Sequence, residues 1–169
     1  MPNSCRPTAR TWRFVCHACS VAAGRSALDA QETEVLALLA QGASNGEIAK
    51  AATLSEDTVK CYLRSIRAKF GTSSRACLVA LAYRNGVVTP SVPAEATAPV
   101  LSDAERTVLG LLSEGATTRE VARRQLMSHH NAKEYVRRLL DRMGAADAAH
   151  GVSLAYRWQI LADDREEGR

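Results

Sequence analysis

The chain has 169 residues, with 22 lysines and arginines against 18 aspartates and glutamates, which gives a formal net charge of +4. Only 5% of the residues are aromatic, and the sequence contains no apolar run of about 18 residues, which excludes a transmembrane helix. This composition favours short helices packed by Leu, Val and Ala, and the mild positive charge permits a nucleic-acid partner without requiring one.

Residues 1–27 form a basic N-terminal arm that carries four arginines and no acid. Cys5, Cys16, His17 and Cys19 are candidate zinc ligands, because the last three lie within the Cys-x-x-Cys spacing of a zinc knuckle. A zinc site usually takes its four ligands from two such pairs, so we expect no cofactor. Zinc binding, redox sensing and an unstructured arm are the alternatives for this segment. The irregular cysteine spacing predicts a reducing cytoplasm rather than a disulfide framework.

Residues 28–88 carry the signals of four helices. Asp29 with Glu32 and Ser44 with Glu47 have the spacing of helix caps followed by a third-position acid. Ser55 begins a third helix, whose apolar residues recur at helical spacing. The fourth helix begins at Ser73 or Ser74. This segment is therefore predicted to be a four-helix unit, which we call unit 1.

The same signals return 73 positions later, in residues 101–161, which we call unit 2. Glu32 aligns with Glu105 and Tyr83 with Tyr156, and the register holds over the whole unit without a gap. Between the units, residues 89–100 contain three prolines and predict an extended linker. Gly151 is expected to interrupt the last helix of unit 2. Residues 162–169 form a charged tail.

Two short helices joined by a tight turn, with basic residues on the second, have the layout of a helix-turn-helix, whose second helix enters the major groove of DNA. Lys60 and Arg64 share one face of the predicted reading helix. Helix caps also bind phosphate. The DNA-binding candidates of unit 1 are Ser44, Asn45, Ser55, Thr58, Lys60, Cys61, Arg64 and Lys69.

Unit 2 carries a dense basic face on its counterpart helix. It places Glu134 at the position equivalent to Cys61 of unit 1, and a carboxylate can accept a hydrogen bond from cytosine. The two units are therefore predicted to read different half-sites. The DNA-binding candidates of unit 2 are Thr117, Asn131, Lys133, Glu134, Arg137, Arg138 and Arg142.

The opening Leu-Asp-Ala-Gln-Glu-Thr-Glu-Val-Leu of unit 1 and its Ser-Glu-Asp-Thr-Val-Lys-Cys-Tyr-Leu-Arg stretch resemble the LuxR-type helix-turn-helix domain of response regulators. Unit 2 resembles a diverged copy. The resemblance implies that Lys60, Cys61 and Arg64 face the major groove and that the last helix often forms a dimer interface. Thr53 stands where the family usually has glycine and is expected to alter the turn, and Tyr62 stands where it often has histidine.

We therefore predict an all-α protein with two tandem four-helix helix-turn-helix domains, a Pro-rich linker and a short N-terminal arm. Its predicted function is sequence-specific binding of double-stranded DNA in bacterial transcription regulation, in the cytoplasm and at the nucleoid, with no membrane partner. No nucleophile, paired carboxylate or phosphate loop indicates an enzyme. In the alternative, unit 2 binds RNA polymerase, a sigma factor or another regulator. One chain acting as a pseudo-dimer and a homodimer are both open at this point.

Overall fold

The computed structural model describes residues 28–90 and 98–161, and these residues form eight helices and no strand. Unit 1 contains α1 (Ala30–Ala40), α2 (Asn45–Ala51), α3 (Glu56–Phe70) and α4 (Arg75–Arg84). Unit 2 contains α5 (Asp103–Ser113), α6 (Thr118–Arg124), α7 (His129–Arg142) and α8 (Ala148–Arg157). The predicted all-α fold of two four-helix units is confirmed. Among the described helices, none has the length and apolar character needed to span a bilayer.

The helices begin where the cap residues in the sequence indicate. Reciprocal capping boxes open the first two helices of each unit, because the cap side chain accepts from the third residue's N–H while that residue's carboxylate accepts from the cap N–H. The fourth helix of unit 1 begins after Ser74, whose hydroxyl accepts from the N–H of Cys77. The reading helices α3 and α7 begin at simple caps instead, where Ser55 and Ser128 accept from the N–H three residues on. The four pairs are Asp29 with Glu32, Ser44 with Glu47, Ser102 with Glu105, and Thr117 with Glu120.

An ion pair joins the first and third helices in each unit. Glu32 of α1 is only 2% exposed, and its carboxylate accepts from Ser65 Oγ at 2.7 Å and from Lys69 Nζ at 2.5 Å. Burial raises the pKa of Glu32, but the bonds from Lys69, the Asp29 N–H and Ser65 together lower it below its ordinary value. In unit 2, Glu105 and Arg142 pair at the equivalent positions. The repeat thus conserves this contact within the chain.

The turn between the two helix-turn-helix helices has the same conformation in both units. Thr53 has a φ of 56° and Leu126, its counterpart, a φ of 52°, so both lie in the left-handed region. The N–H of Leu54 donates to the Ala49 carbonyl at 2.8 Å and closes the turn. Thr53 thus adopts, at a cost in free energy, a backbone conformation that suits glycine. A turn altered relative to the family's stays a prediction.

Gly151 does not interrupt the last helix of unit 2, so that prediction is wrong. Helix α8 runs unbroken through it, and Gly151 is fully packed. A Cβ placed there would lie 2.4 Å from Cδ2 of Leu140 on α7. The glycine therefore makes room for a neighbouring leucine, and the intact helical hydrogen bonds on either side keep the helix continuous.

The two units pack against each other through α4 and α8, and we call this surface the inter-unit seam. The rings of Tyr83 and Tyr156 stack at its centre, with centroids 5.1 Å apart and planes inclined by 17°. The Tyr83 hydroxyl donates to the Ala40 carbonyl at 2.9 Å and lies 3.2 Å from Ser153 Oγ, and Arg84 Nε donates to the Tyr156 hydroxyl at 2.8 Å. The seam is thus a buried core in which both tyrosine hydroxyls are hydrogen-bonded.

The seam has the pattern of a two-fold interface. Gly42 of unit 1 lies against His150 of unit 2, since a Cβ on that glycine would be 2.5 Å from the imidazole. Gly115 of unit 2 lies against Cys77 of unit 1, with a corresponding separation of 3.2 Å. Both glycines have φ near 90°, where side chains are disfavoured. Equivalent residues exchange equivalent contacts, which is the property of an isologous dimer.

Candidate nucleic-acid interface

The exposed face of α3 carries the predicted base-reading residues of unit 1. Val59, Leu63 and Ile66 are buried in the core. Lys60, Cys61 and Arg64 are exposed, and Lys60 Nζ binds Asp57 Oδ1 at 2.8 Å. The hydrogen bond to Asp57 raises the pKa of Lys60, which is charged in any case. This pair lies on the surface, where an ion pair contributes little, so the ammonium is available to a stronger anion.

Three of the predicted residues border one open cleft of about 230 Å³ between α2 and α3. Asn45, Lys60 and Arg64 line it with Leu63 and Arg67. Sequence reasoning missed Arg67, although its spacing of three from Arg64 and seven from Lys60 places all three on one helix face. The cleft brings cationic side chains together next to the face that would enter the groove.

The remaining polar candidates of unit 1 are engaged at helix starts. Ser55 Oγ accepts from the Thr58 N–H at 3.1 Å and lies 2.8 Å from the Thr58 hydroxyl. Ser44 caps α2 and accepts from the Glu47 N–H at 3.3 Å. The hydroxyls of Ser44 and Ser55 thus cap their helices, and that of Thr58 is bonded to Ser55. Contact with phosphate stays a prediction for each of the three.

The reading helix of unit 2 carries its basic residues in a network of ion pairs. Arg137 binds Glu134 at 2.7 Å and Asp141 at 2.8 Å, and Arg138 binds Glu134 at 3.0 Å. The hydrogen bond from Arg137 is the main reason that the pKa of Glu134 falls to about 2. Lys133 is exposed on the same helix. Unit 2 therefore presents a face whose arginines are already paired, unlike that of unit 1.

The other predicted residues are placed as follows. Lys69 and Arg142 lie in the ion pairs between the first and third helices, a structural role that sequence reasoning missed. Asn131 is exposed in the first turn of α7, and Thr117 caps α6. A role on DNA stays a prediction for all four. The candidate zinc ligands Cys5, Cys16, His17 and Cys19 lie outside the described residues. The described part of the chain holds no cluster of three or more metal-ligating side chains.

Comparison with known proteins identifies both units. Residues 26–82 and 99–155 each match the family described as bacterial regulatory proteins, luxR family. A stretch of 44 residues is 50% identical to the DNA-binding transcriptional activator DevR/DosR of Mycobacterium tuberculosis, covering 26% of this chain and 20% of that protein. A stretch of 54 residues is 46% identical to the probable transcriptional regulatory protein SgaR of Hyphomicrobium methylovorum, covering 32% of this chain and 26% of that protein.

The aligned part of the chain spans about a fifth to a quarter of the length of these curated relatives. No solved structure gives a significant match. The family match is nevertheless made twice, and its two copies together cover more than half of the sequence. The copies coincide with the two four-helix units and their turns. This chain belongs to the LuxR family of bacterial regulatory proteins, whose domain it carries in two tandem copies.

Proposed function

We propose that the chain is a sequence-specific double-stranded DNA-binding regulator of transcription that uses both units on one site. The family and the relatives named as transcriptional regulators support DNA binding. The observation that carries the two-unit form is the inter-unit seam, where α4 and α8 pack as the two halves of a dimer would. Because the seam is filled within one chain, the surface that would pair two chains is already covered.

Two units held together raise the affinity without any new contact. Once one unit is bound, the second is held near its half-site at an effective concentration of about millimolar. Helix-turn-helix proteins usually bring two reading units onto one site by dimerising, with half-sites about one helical turn apart. In this chain the seam would set that spacing.

Substitutions on α3 test the reading surface. We expect Lys60→Ala and Arg64→Ala each to weaken binding to a selected target by roughly tenfold or more, with an unchanged circular dichroism spectrum. Arg106→Ala is the matched control, because Arg106 is an exposed arginine on α5. Both α3 variants binding as tightly as this control would show that unit 1 does not read DNA.

A second function is favoured by the ion pairs on α7. Glu134 binds two of the arginines that would face DNA, and Leu126 in the nearby turn is 95% exposed. Both features suit a unit that binds a protein such as RNA polymerase, a sigma factor or another regulator. The full-length variants Lys133→Ala and Arg137→Ala separate the two functions. Loss of DNA affinity equal to that of the α3 variants supports two reading units, and unchanged affinity supports a protein partner for unit 2.

A further inference from the structure

The cleft between α2 and α3 in unit 1 is lined mainly by hydrogen-bond donors. Arg75 Nη1 donates to Asn45 Oδ1 at 2.7 Å, which leaves the amide NH₂ of Asn45 to face a ligand. Lys60, Arg64 and Arg67 supply an ammonium and two guanidinium groups. A concave surface lined by three cationic side chains and no carboxylate fits an oxyanion.

The cleft is held in shape from behind by Arg75. Its Nη2 donates to the Ala43 carbonyl at 2.9 Å, so the guanidinium fixes the chain just before α2, and its Nε lies 3.8 Å from Asp147 across the seam. Burial lowers the pKa of Arg75, the nearby carboxylate of Asp147 opposes this, and the charge of Arg67 adds a smaller lowering effect. The Arg75 guanidinium, held by Asn45, Ala43 and Asp147, thus forms a fixed support behind the cleft.

Arg67 is a member of the lining with a buried polar atom that the protein does not satisfy. Its Nε is buried and has no hydrogen-bond acceptor in the described residues. A buried donor without a partner costs free energy in the unbound protein, and such a group calls for an explanation. An oxyanion bound in the cleft would neutralise the guanidinium to which this Nε belongs.

Unit 2 differs from unit 1 at three of the positions that form or support this cleft. The position of Arg67 is held by Leu140, which packs over Gly151, and the position of Arg75 is held by Ala148. Thr118 replaces Asn45. The comparison within one chain shows that the helix-turn-helix fold does not require these three residues, so their presence in unit 1 needs a separate reason.

We propose that this cleft binds a phosphate group, and that the phosphate is one of the DNA backbone beside the groove that α3 enters. Lys60 and Arg64 belong both to the cleft and to the reading face, so a phosphate in the cleft would lie at the edge of that groove. Arg67 then makes a phosphate contact that unit 2 lacks. The inference rests on the proposed function, and it predicts that the two units hold the duplex with unequal numbers of phosphate contacts.

The test is the salt dependence of DNA binding by the full chain. Each neutralised phosphate contributes about 0.9 to the slope of log K against log salt. We expect Arg67→Leu to reduce that slope by about one and to weaken binding to target and random duplexes alike. Arg106→Leu, an equal change of charge on α5, is the control. Arg67→Gln is the second variant, in case leucine disturbs packing, and thermal melting checks both.

A duplex with one neutral methylphosphonate linkage identifies the contacted phosphate. Scanned along the site, one linkage should weaken wild-type binding clearly more than it weakens the binding of Arg67→Gln. The proposal is overturned if Arg67→Leu and Arg67→Gln change the slope of log K against log salt no more than Arg106→Leu does. Calorimetry with inorganic phosphate tests whether the cleft binds free phosphate rather than a phosphate of the DNA backbone. Sub-millimolar binding that the Arg67 variants abolish, without any change in slope, assigns the cleft to free phosphate and also overturns it. A wild-type chain that binds no duplex refutes the proposed function instead.

Discussion

Replacing the stacked tyrosines of the inter-unit seam, singly and together, tests whether the two units form one cooperative body. Tyr83 and Tyr156 are 3% and 2% exposed, and each hydroxyl takes part in a hydrogen bond. Tyr83→Leu or Tyr156→Leu removes one such bond, which costs about 1 kcal/mol. Each also removes the ring stack, which is worth about 1 kcal/mol. We therefore expect each single change to lower the free energy of unfolding by about 2 kcal/mol.

The double variant should lose less free energy of unfolding than the sum of the losses in the two single variants. The stack is lost only once, so we expect the coupling free energy between the two positions to be about 1 kcal/mol. Urea unfolding of the wild type, the two single variants and the double variant, monitored by circular dichroism, gives the free energy of unfolding of each. A single transition for the wild-type chain is part of the expected result.

Tyr62 and Tyr135 provide the matched control. They occupy equivalent positions on α3 and α7 and are half-buried in their own units. The same changes to leucine there should be additive within about 0.3 kcal/mol, as is usual for distant sites. Additive effects at Tyr83 and Tyr156 too, or two separate unfolding transitions in the wild-type chain, would refute the reasoning that the seam joins the units.

Three further predictions follow from particular residues. Thr53→Gly should raise the free energy of unfolding by about 0.5 kcal/mol, since relief of the left-handed φ exceeds the added chain entropy. The control Thr107→Gly, within α5, should lower it by about 0.3 kcal/mol. Glu32→Gln should destabilise the fold by about 1–3 kcal/mol at pH 7, measured by urea unfolding. The folded pKa of Glu32 lies below its ordinary 4.5, so its contribution is complete above that pH and is lost as the pH falls through the folded pKa. The loss of unfolding free energy in Glu32→Gln should therefore be smaller at pH 3.5. An equal loss at both pH values, or an equal loss in the exposed control Glu34→Gln, would contradict this. Glu134→Gln should raise DNA affinity several-fold and steepen its salt dependence by releasing Arg137 and Arg138, whereas Glu114→Gln, an equal change of charge, should not. A weaker complex with relaxed preference at one C·G pair would instead assign Glu134 to base reading.

The secondary structure could be predicted because its signals are local. A capping box such as Ser44 with Glu47 involves residues three apart, and the helical spacing of Val59, Leu63 and Ile66 identifies a buried face without any knowledge of its partner. The repeat at 73 positions then doubles each observation. These signals were sufficient for the number, order and starts of the described helices.

The contacts between helices could not be predicted in the same way. Glu32 was interpreted only as a capping acid, whereas its carboxylate also binds Lys69, 37 residues further along. Gly151 was interpreted as a helix break because its reason, the side chain of Leu140, lies on another helix. Sequence spacing gives the faces of a helix, but only packing decides which face meets which neighbour.

In the candidate nucleic-acid interface, too, only the features that depend on local spacing could be predicted. Lys60 and Arg64 were found because their spacing places them on one face of the reading helix. The cleft that adds Arg67 depends on how α2 and α4 are set against α3, and the pairing of Arg137 with Glu134 depends on side-chain rotamers. Neither is visible in the residue pattern alone.

The stoichiometry of the DNA complex tests the central claim most directly. The measurement is native mass spectrometry of the full chain on its selected site, confirmed by light scattering in solution. Because the inter-unit seam is filled within one chain, we predict one chain per site, with both half-sites protected from cleavage. Two chains per site, with unit 1 on both half-sites, would contradict the claim that the tandem units form an intramolecular dimer.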